Sequence, residues 1–235
     1  MSQPAPKITI SIAQPEDYYP IAALETLTFH NEPFSAVAFG PLRDHPSNIQ
    51  RRATSLAKQP SIPDGTPKTS EWNVVAKAVD ENGIIVGVAC WGFVTGRAGK
   101  VEEKGEGIGG GRALKQEDWG LSANLKFCEE VFLKGDELML DSCKGEDYAK
   151  LSVLVVSPSC QRRGIGTNLL EHGLKEVDKN GLQCVLGASK EGFGLYKKLG
   201  WVPYETMKIK LWEYEGGEGM GVDEHVIMNR PAKKL

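Results

Sequence analysis

The chain has 235 residues, of which 40% are hydrophobic and 25% charged, and 28 Lys and Arg against 31 Asp and Glu give a net charge of −3. These values are typical of a globular protein of one or two domains and argue against a wholly disordered or fibrous chain. The slight acidic surplus also argues against a general nucleic-acid binder, which normally carries a basic face.

The apolar segments are shorter than the ~18 consecutive residues that a membrane span requires. The N-terminal sequence lacks the apolar stretch of a secretory signal. The five cysteines are widely spaced and include no C-x-x-C pair, which predicts reduced thiols rather than disulfides or a zinc site. We therefore expect a cytoplasmic protein, with a nuclear location also open, without a metal and without a membrane or nucleic-acid partner.

Hydrophobic periodicity and turn residues predict the elements of the first half of the chain. Two of the predicted strands are joined by an Asn-Gly hairpin signal. The elements are a strand at 8–12, helices at 15–28 and 49–57, and strands at 72–79 and 84–94. A glycine- and charge-rich segment at about 96–120 is predicted to be a mobile insertion.

The second half of the chain alternates between helical and extended patterns. The predicted elements are helices at 121–139, 166–177 and 192–200 and strands at 151–156, 184–189, 207–212 and 224–228. His225 falls in the last of these strands and is interpreted as structural.

One stretch carries a specific chemical signal. An apolar strand at 151–156 runs into the loop Gln161-Arg-Arg-Gly-Ile-Gly166, and an amphipathic helix follows at once. A helix N-terminus presents unpaired N–H groups and a partial positive charge, so it can bind a phosphate group. Glycines at 164 and 166 let the backbone approach such a ligand closely.

This stretch resembles the acetyl-CoA loop of the GNAT superfamily of N-acetyltransferases, with the pattern Q/R-x-x-G-x-G/A. A second segment, Leu195-Tyr196-Lys-Lys-Leu-Gly-Trp201, is similar to the L-Y-x-x-x-G-F/W ending of that family. The amino-acid sequence of this region also resembles that of fungal members of the family whose substrate is uncertain. The resemblance implies a single domain over 1–235, with the acetyl-CoA core at about 149–201.

The fold that the resemblance implies is α/β (α+β), a mixed and mostly antiparallel sheet with a splayed central strand pair and helices on both faces. The cofactor is acetyl-CoA and the partner is an amine acceptor, and the protein is expected to be a monomer or a homodimer. The residues expected to bind the cofactor are Leu154, Val155, Val156, Gln161, Arg162, Arg163, Gly164, Ile165, Gly166, Thr167, Ser189, Tyr196 and Lys198.

The resemblance also implies catalytic roles. Tyr196 matches the tyrosine that donates a proton to the departing CoA thiolate. The predicted strands at 151–156 and 184–189 contain no carboxylate, so His30 and Glu32, on the connection expected to lie over the acceptor, are the candidate bases.

Three aromatic residues, Phe29, Phe34 and Trp91, are candidates for the acceptor pocket. The predicted function is acetyl transfer from acetyl-CoA to a primary amine by direct attack. A catalytically silent CoA-binding sensor or scaffold stays open as the alternative.

Overall fold

The computed structural model describes residues 7–58, 70–97 and 114–233. Seven strands form one sheet in the order β1-β2-β3-β4-β5-β7-β6, and every pair is antiparallel except β4 with β5. The strands are β1 Thr9–Ile12, β2 Ser70–Val79, β3 Ile85–Thr95, β4 Tyr148–Val156, β5 Gln183–Ala188, β6 Val202–Lys210 and β7 Val222–Arg230. The predicted class, a mixed and mostly antiparallel α/β sheet, is confirmed.

Helices cover both faces of this sheet. They are α1 Tyr18–Phe29, α2 Pro33–Phe39, α3 Pro46–Ala57, α4 Gln116–Trp119, α5 Leu125–Phe127, α6 Lys134–Cys143, α7 Ile165–Lys179 and α8 Lys190–Lys198. A π-helical segment, Cys128–Leu133, joins α5 to α6 without a break. Among the described helices, none is both long enough and apolar enough to cross a bilayer.

Alternation along β3 divides the core between the two faces. Ala89, Trp91 and Phe93 pack with the apolar stripe of α7. Val88 and Cys90 point the other way, into a cluster formed with α1 and α3. Because both of its faces are buried, β3 is apolar along most of its length.

The central strands β4 and β5 separate after a short parallel pairing. Only Tyr148–Lys150 of β4 pairs with β5, through Gln183–Val185. From Leu151 onwards β4 keeps β3 as its neighbour, with an irregularity at Ser152, whose hydroxyl donates to the carbonyl oxygen of Cys90 at 3.1 Å. Among the described residues, no strand lies beside the other backbone edge of β4 there, which is the predicted splay.

Two element boundaries differ from the sequence-based predictions. The helix predicted at 121–139 begins at Leu125, because the Asn124 side chain caps it by accepting from the Phe127 amide at 3.0 Å, and it ends at Cys143. Strand β6 begins at Val202 rather than at 207, and it tolerates Pro203 because it is an edge strand. Most of the predicted insertion at 96–120 lies outside the described residues, and its described part includes the short helix α4.

Candidate active site

A cavity of about 1760 Å³ opens where β4 and β5 separate. Its walls include the free stretch of β4 (151–156), the loop between β4 and α7, and the first turns of α8. Residues from α1, α2, α4, the π-helical segment, β6 and β7 close its other side. One continuous space therefore joins the glycine loop to side chains from distant parts of the chain.

The loop end of this cavity is built from backbone. Gly164 caps α7 in the left-handed conformation, with φ at +82°, and a side chain there would meet no atom within 4 Å. No side chain in the described parts of the chain caps the N-terminus of α7, so the amides of its first turn can bind an anion. This geometry fits a phosphate-bearing cofactor such as acetyl-CoA.

The two loop arginines differ in position. Arg162 lines the cavity and has a φ of +62°, which is unusual for a residue other than glycine. Arg163 is exposed and does not line the cavity. The Gln161 amide donates to the carbonyl oxygen of Val156 at 3.2 Å, so this side chain shapes the loop.

The remaining predicted cofactor residues also line the cavity. They are Leu154, Val155, Val156, Ile165, Gly166, Thr167, Ser189 and Lys198. The Ser189 hydroxyl accepts a hydrogen bond from the Gly192 amide at 3.4 Å and so caps α8. Its proton remains available for donation to a ligand.

Tyr196 lines the same cavity from α8. Its side chain is 8% exposed, and its ring packs edge-on against Trp201 at 5.8 Å between centroids. A Cβ at Gly192 would lie 2.7 Å from the Tyr196 ring, so glycine is needed for the ring to take this position. Burial raises the pKa of Tyr196 to about 12, and the hydroxyl therefore keeps its proton at neutral pH.

Aromatic side chains line the opposite side of the cavity. Phe132, at the π-helical segment, stacks with Phe39 and Trp119 and meets Phe34 edge-on at 5.6 Å. All four residues line the cavity and are partly exposed. We call these four side chains the aromatic wall. Phe29, at the end of α1, also lines the cavity.

The fold places one of the other candidate residues in the cavity and two of them outside it. Glu32 lines the cavity, and burial together with the carboxylates of Glu191 and Asp223 raises its pKa. His30 lies outside the cavity, with its Nδ1 atom 3.8 Å from an Asp44 oxygen. Trp91 is 1% exposed and lies against Gly173 of α7, on the face away from the aromatic wall. The structure thus brings Glu32 to the site and leaves His30 and Trp91 outside it.

His225 reaches the cavity although its sequence context suggested a structural role. Its ring stacks on Phe34 at 4.3 Å between centroids, and its Nε2 atom lies 3.9 Å from an Asp223 oxygen. Burial lowers the pKa of His225, against the opposing effect of Asp223 and Glu191. The signal that would have found it is the pairing of β5 with β7, which brings His225 next to the end of β5.

Two further findings concern metals and thiols. Within 7–58, 70–97 and 114–233, no three His, Cys, Asp or Glu side chains are arranged to hold a metal ion. All five cysteines are free, and Cys160 is the one that lines the cavity.

Comparison with known protein families gives a match at the loop end of the site. Residues 142–210 match the family described as acetyltransferase (GNAT) domain. This segment contains β4, the glycine loop, α7, β5, α8 and β6. The chain matches no curated protein by sequence.

Solved structures resemble the whole chain. Arylalkylamine N-acetyltransferase 2 from Aedes aegypti has a TM-score of 0.64 at 16% identity, over 97% of this chain and 100% of its own. The mosquito arylalkylamine N-acetyltransferase like 5b has a TM-score of 0.59 at 15% identity, over 95% and 99%. A histone acetyltransferase HPA2 and related acetyltransferase from Corynebacterium glutamicum has a TM-score of 0.57 at 18% identity, over 97% and 98%.

The fold and the loop end of the cavity define an acyltransferase. More particularly, residues 142–210 match the GNAT acetyltransferase domain and the whole chain has a fold similar to that of solved N-acetyltransferases, so the resemblance seen in the sequence is confirmed.

Proposed function

We propose that the protein transfers an acetyl group from acetyl-CoA to a primary amine carried on an apolar body. The observation that carries this proposal is that one cavity contains the uncapped N-terminus of α7, the unpaired edge of β4 and Tyr196. These are the groups needed to bind a pyrophosphate, to pair with an amide-containing arm and to protonate a leaving group.

At the loop end, the amides that follow Gly164 bind the pyrophosphate, with Arg162 adding positive charge beside them. Along β4, the backbone groups of 151–156 bind the pantetheine arm where β5 has moved away. The Ser189 hydroxyl and Lys198 lie on the α8 side of that path. This arrangement directs the thioester toward the splay, in line with the acceptor.

At the splay, Tyr196 protonates the departing thiolate. Its hydroxyl has no hydrogen-bond partner among the described residues, so its proton is free for donation. Because burial raises the pKa of Tyr196 to about 12, the phenol is protonated at every physiological pH. General acid catalysis of this kind contributes roughly 10²- to 10⁴-fold to a rate.

The aromatic wall supports an acceptor with an apolar body. Phe34, Phe132 and Trp119 offer partly exposed rings to the cavity, while Glu32 and Asp223 place negative charge beside them. Packing an acceptor's aromatic ring on this wall removes the ring from water and contributes about 1.5–3 kcal/mol to the free energy of binding. This contribution corresponds to about 10- to 150-fold in affinity.

The test compares two amines that share an ammonium group and differ in their bodies. The full chain is incubated with acetyl-CoA and either 2-phenylethylamine or ethylamine, and free CoA thiol is measured. We expect amine-dependent thiol release with a kcat/KM at least ~10-fold higher for 2-phenylethylamine.

Calorimetric titration with acetyl-CoA separates this function from the alternative. Tight binding of acetyl-CoA without thiol release from any amine would favour a catalytically silent sensor. Equal kcat/KM values for the two amines would contradict the apolar acceptor and leave acetyl transfer standing.

A further inference from the structure

The acceptor side of the cavity contains the imidazole of His225 beside the carboxylates of Glu32, Glu191 and Asp223. His225 lies on β7, beside Met207 of β6 and one residue beyond Val226, which pairs with Ala188 at the end of β5. The end of β5 is where the splay opens and where α8 begins. The imidazole is therefore on the same side of the cavity as the start of the helix that carries Tyr196.

Packing fixes the orientation of this ring. The stack on Phe34 has an interplanar angle of 22°, and the side chain is 24% exposed. Asp223 stands 3.9 Å from Nε2. One face of the imidazole ring is packed on Phe34, and the remainder of the ring borders the cavity. In this position the imidazole can exchange a proton with a bound ligand.

The charged groups around His225 come from three elements. Asp223 is on its own strand, Glu191 is in the first turn of α8, and Glu32 precedes α2. The Nζ atom of Lys208, on β6, lies 3.9 Å from an oxygen of Glu224 on β7, so this lysine forms an ion pair with the neighbouring strand. Asp223 and Glu191 favour the imidazolium, yet burial has the larger effect and lowers the pKa of His225 from its usual value.

We propose that His225 is the general base that takes a proton from the ammonium group of the acceptor. This inference rests on the acetyl transfer proposed above and assigns the residue that makes the acceptor nucleophilic. His225 is suited to this role because it is neutral near pH 7, whereas the amine arrives protonated.

The proton and bond changes balance without another reactant. His225 accepts one proton from the ammonium group and releases it to solvent. The neutral nitrogen attacks the carbonyl carbon, the C–N bond forms and the C–S bond breaks. Tyr196 gives its proton to the thiolate, and the resulting phenolate takes the second proton from the amide nitrogen. The sum is one amide, one thiol and one proton released.

The test uses His225→Asn with acetyl-CoA and 2-phenylethylamine between pH 5 and pH 10. At pH 7 we expect kcat/KM to fall by ~100-fold or more, because the fraction of neutral amine is then set by solvent alone. The deficit should shrink as the pH approaches the pKa of the amine, while the Kd for acetyl-CoA stays unchanged. The wild-type profile should rise through a pKa lower than that of an ordinary histidine and then level off.

Matched controls come from two histidines outside the cavity. His172 lies on α7 and His30 at the end of α1, so His172→Asn and His30→Asn should keep the wild-type profile. A His225→Asn variant with the wild-type profile, or one reduced by the same factor at every pH, would overturn the assignment. An inactive wild type would instead refute the proposed transfer to this amine.

A second variant decides the question if His225→Asn fails to bind acetyl-CoA. Asp223 raises the pKa of His225, so Asp223→Asn should move the acidic limb of the kcat/KM profile to lower pH. An acidic limb that does not move would show that another group titrates there, and the proposal would fall.

Discussion

The two ends of the cavity are built on different principles. The loop end uses backbone: an uncapped helix N-terminus, a left-handed Gly164 and the unpaired edge of β4. The acceptor end uses side chains, and its members Phe34, Phe132 and His225 come from segments almost 200 residues apart in the chain. A ligand that is always the same can be bound by backbone, whereas selection among acceptors depends on side chains that can be exchanged without altering the fold.

The largest effect should come from closing the backbone end. Gly164→Glu puts a carboxylate at the proposed phosphate site, and two like charges about 4 Å apart near a surface repel by ~4 kcal/mol. We expect the Kd for acetyl-CoA, measured by calorimetry, to rise by at least ~100-fold.

Gly181→Glu is the control for backbone strain. Gly181 also has a positive φ, +63°, and open space around it, but it lies beyond the other end of α7 and outside the cavity. The control should bind acetyl-CoA as the wild type does. Equal losses in the two variants would mean that strain rather than charge is responsible, and the phosphate site would be refuted.

The second-largest effect is expected from a substitution of Tyr196, which lies where the two ends of the cavity meet. Tyr196→Phe keeps the ring that packs on Trp201 and removes the acidic proton, so kcat should fall ~10- to 1000-fold with little change in acetyl-CoA affinity. Because burial raises the pKa of Tyr196 to about 12, the phenol stays protonated and the wild-type rate should not decline below pH 10.

Tyr148→Phe is a matched control for this substitution. Burial also raises the pKa of Tyr148 to about 12, but its side chain does not line the cavity. Its kcat should equal that of the wild type. A Tyr196→Phe enzyme with full kcat would remove the tyrosine from the mechanism and leave the cofactor site standing.

The smallest effect measures how much side-chain charge adds to the backbone end. Arg162→Ala keeps the Cβ and hence the backbone strain, but removes an exposed charge from the cavity wall. The Kd for acetyl-CoA should rise about 2- to 5-fold, and less at high salt, because exposed charges interact weakly and are screened.

The neighbouring arginine provides the comparison for this variant. Arg163→Ala removes the same charge one residue away, outside the cavity, and should change the Kd by a smaller factor. A larger loss with Arg163→Ala than with Arg162→Ala would contradict the position of the loop.

The same contrast explains what could be predicted from the sequence. The loop end is contiguous, so the strand at 151–156, the glycines at 164 and 166 and the helix after them were readable from local periodicity. The GNAT resemblance rests on this contiguous stretch, and the family match covers it. Backbone sites of this kind need particular residues at fixed spacing.

The acceptor end was harder to predict from the sequence because it depends on strand register and on helix packing. Alternation in β3 puts Trp91 on one face of the sheet, but only the position of α7 shows that this face is opposite to the aromatic wall. His225 comes to the end of β5 through a strand pair formed by residues about 40 positions apart. His30 and Glu32 are two residues apart, yet the turn into α2 sends only Glu32 into the cavity.

The π-helical segment at Cys128–Leu133 has a consequence for how the specificity of this enzyme can evolve. A π turn contains about one residue more per turn than an α turn, and such turns arise as single bulges within α-helices. Deleting one residue there would restore the regular helix and rotate Phe132 by about 100° relative to α6. A single-codon deletion could therefore remove one ring of the aromatic wall and change the range of acceptors, while the loop end of the cavity is inherited intact.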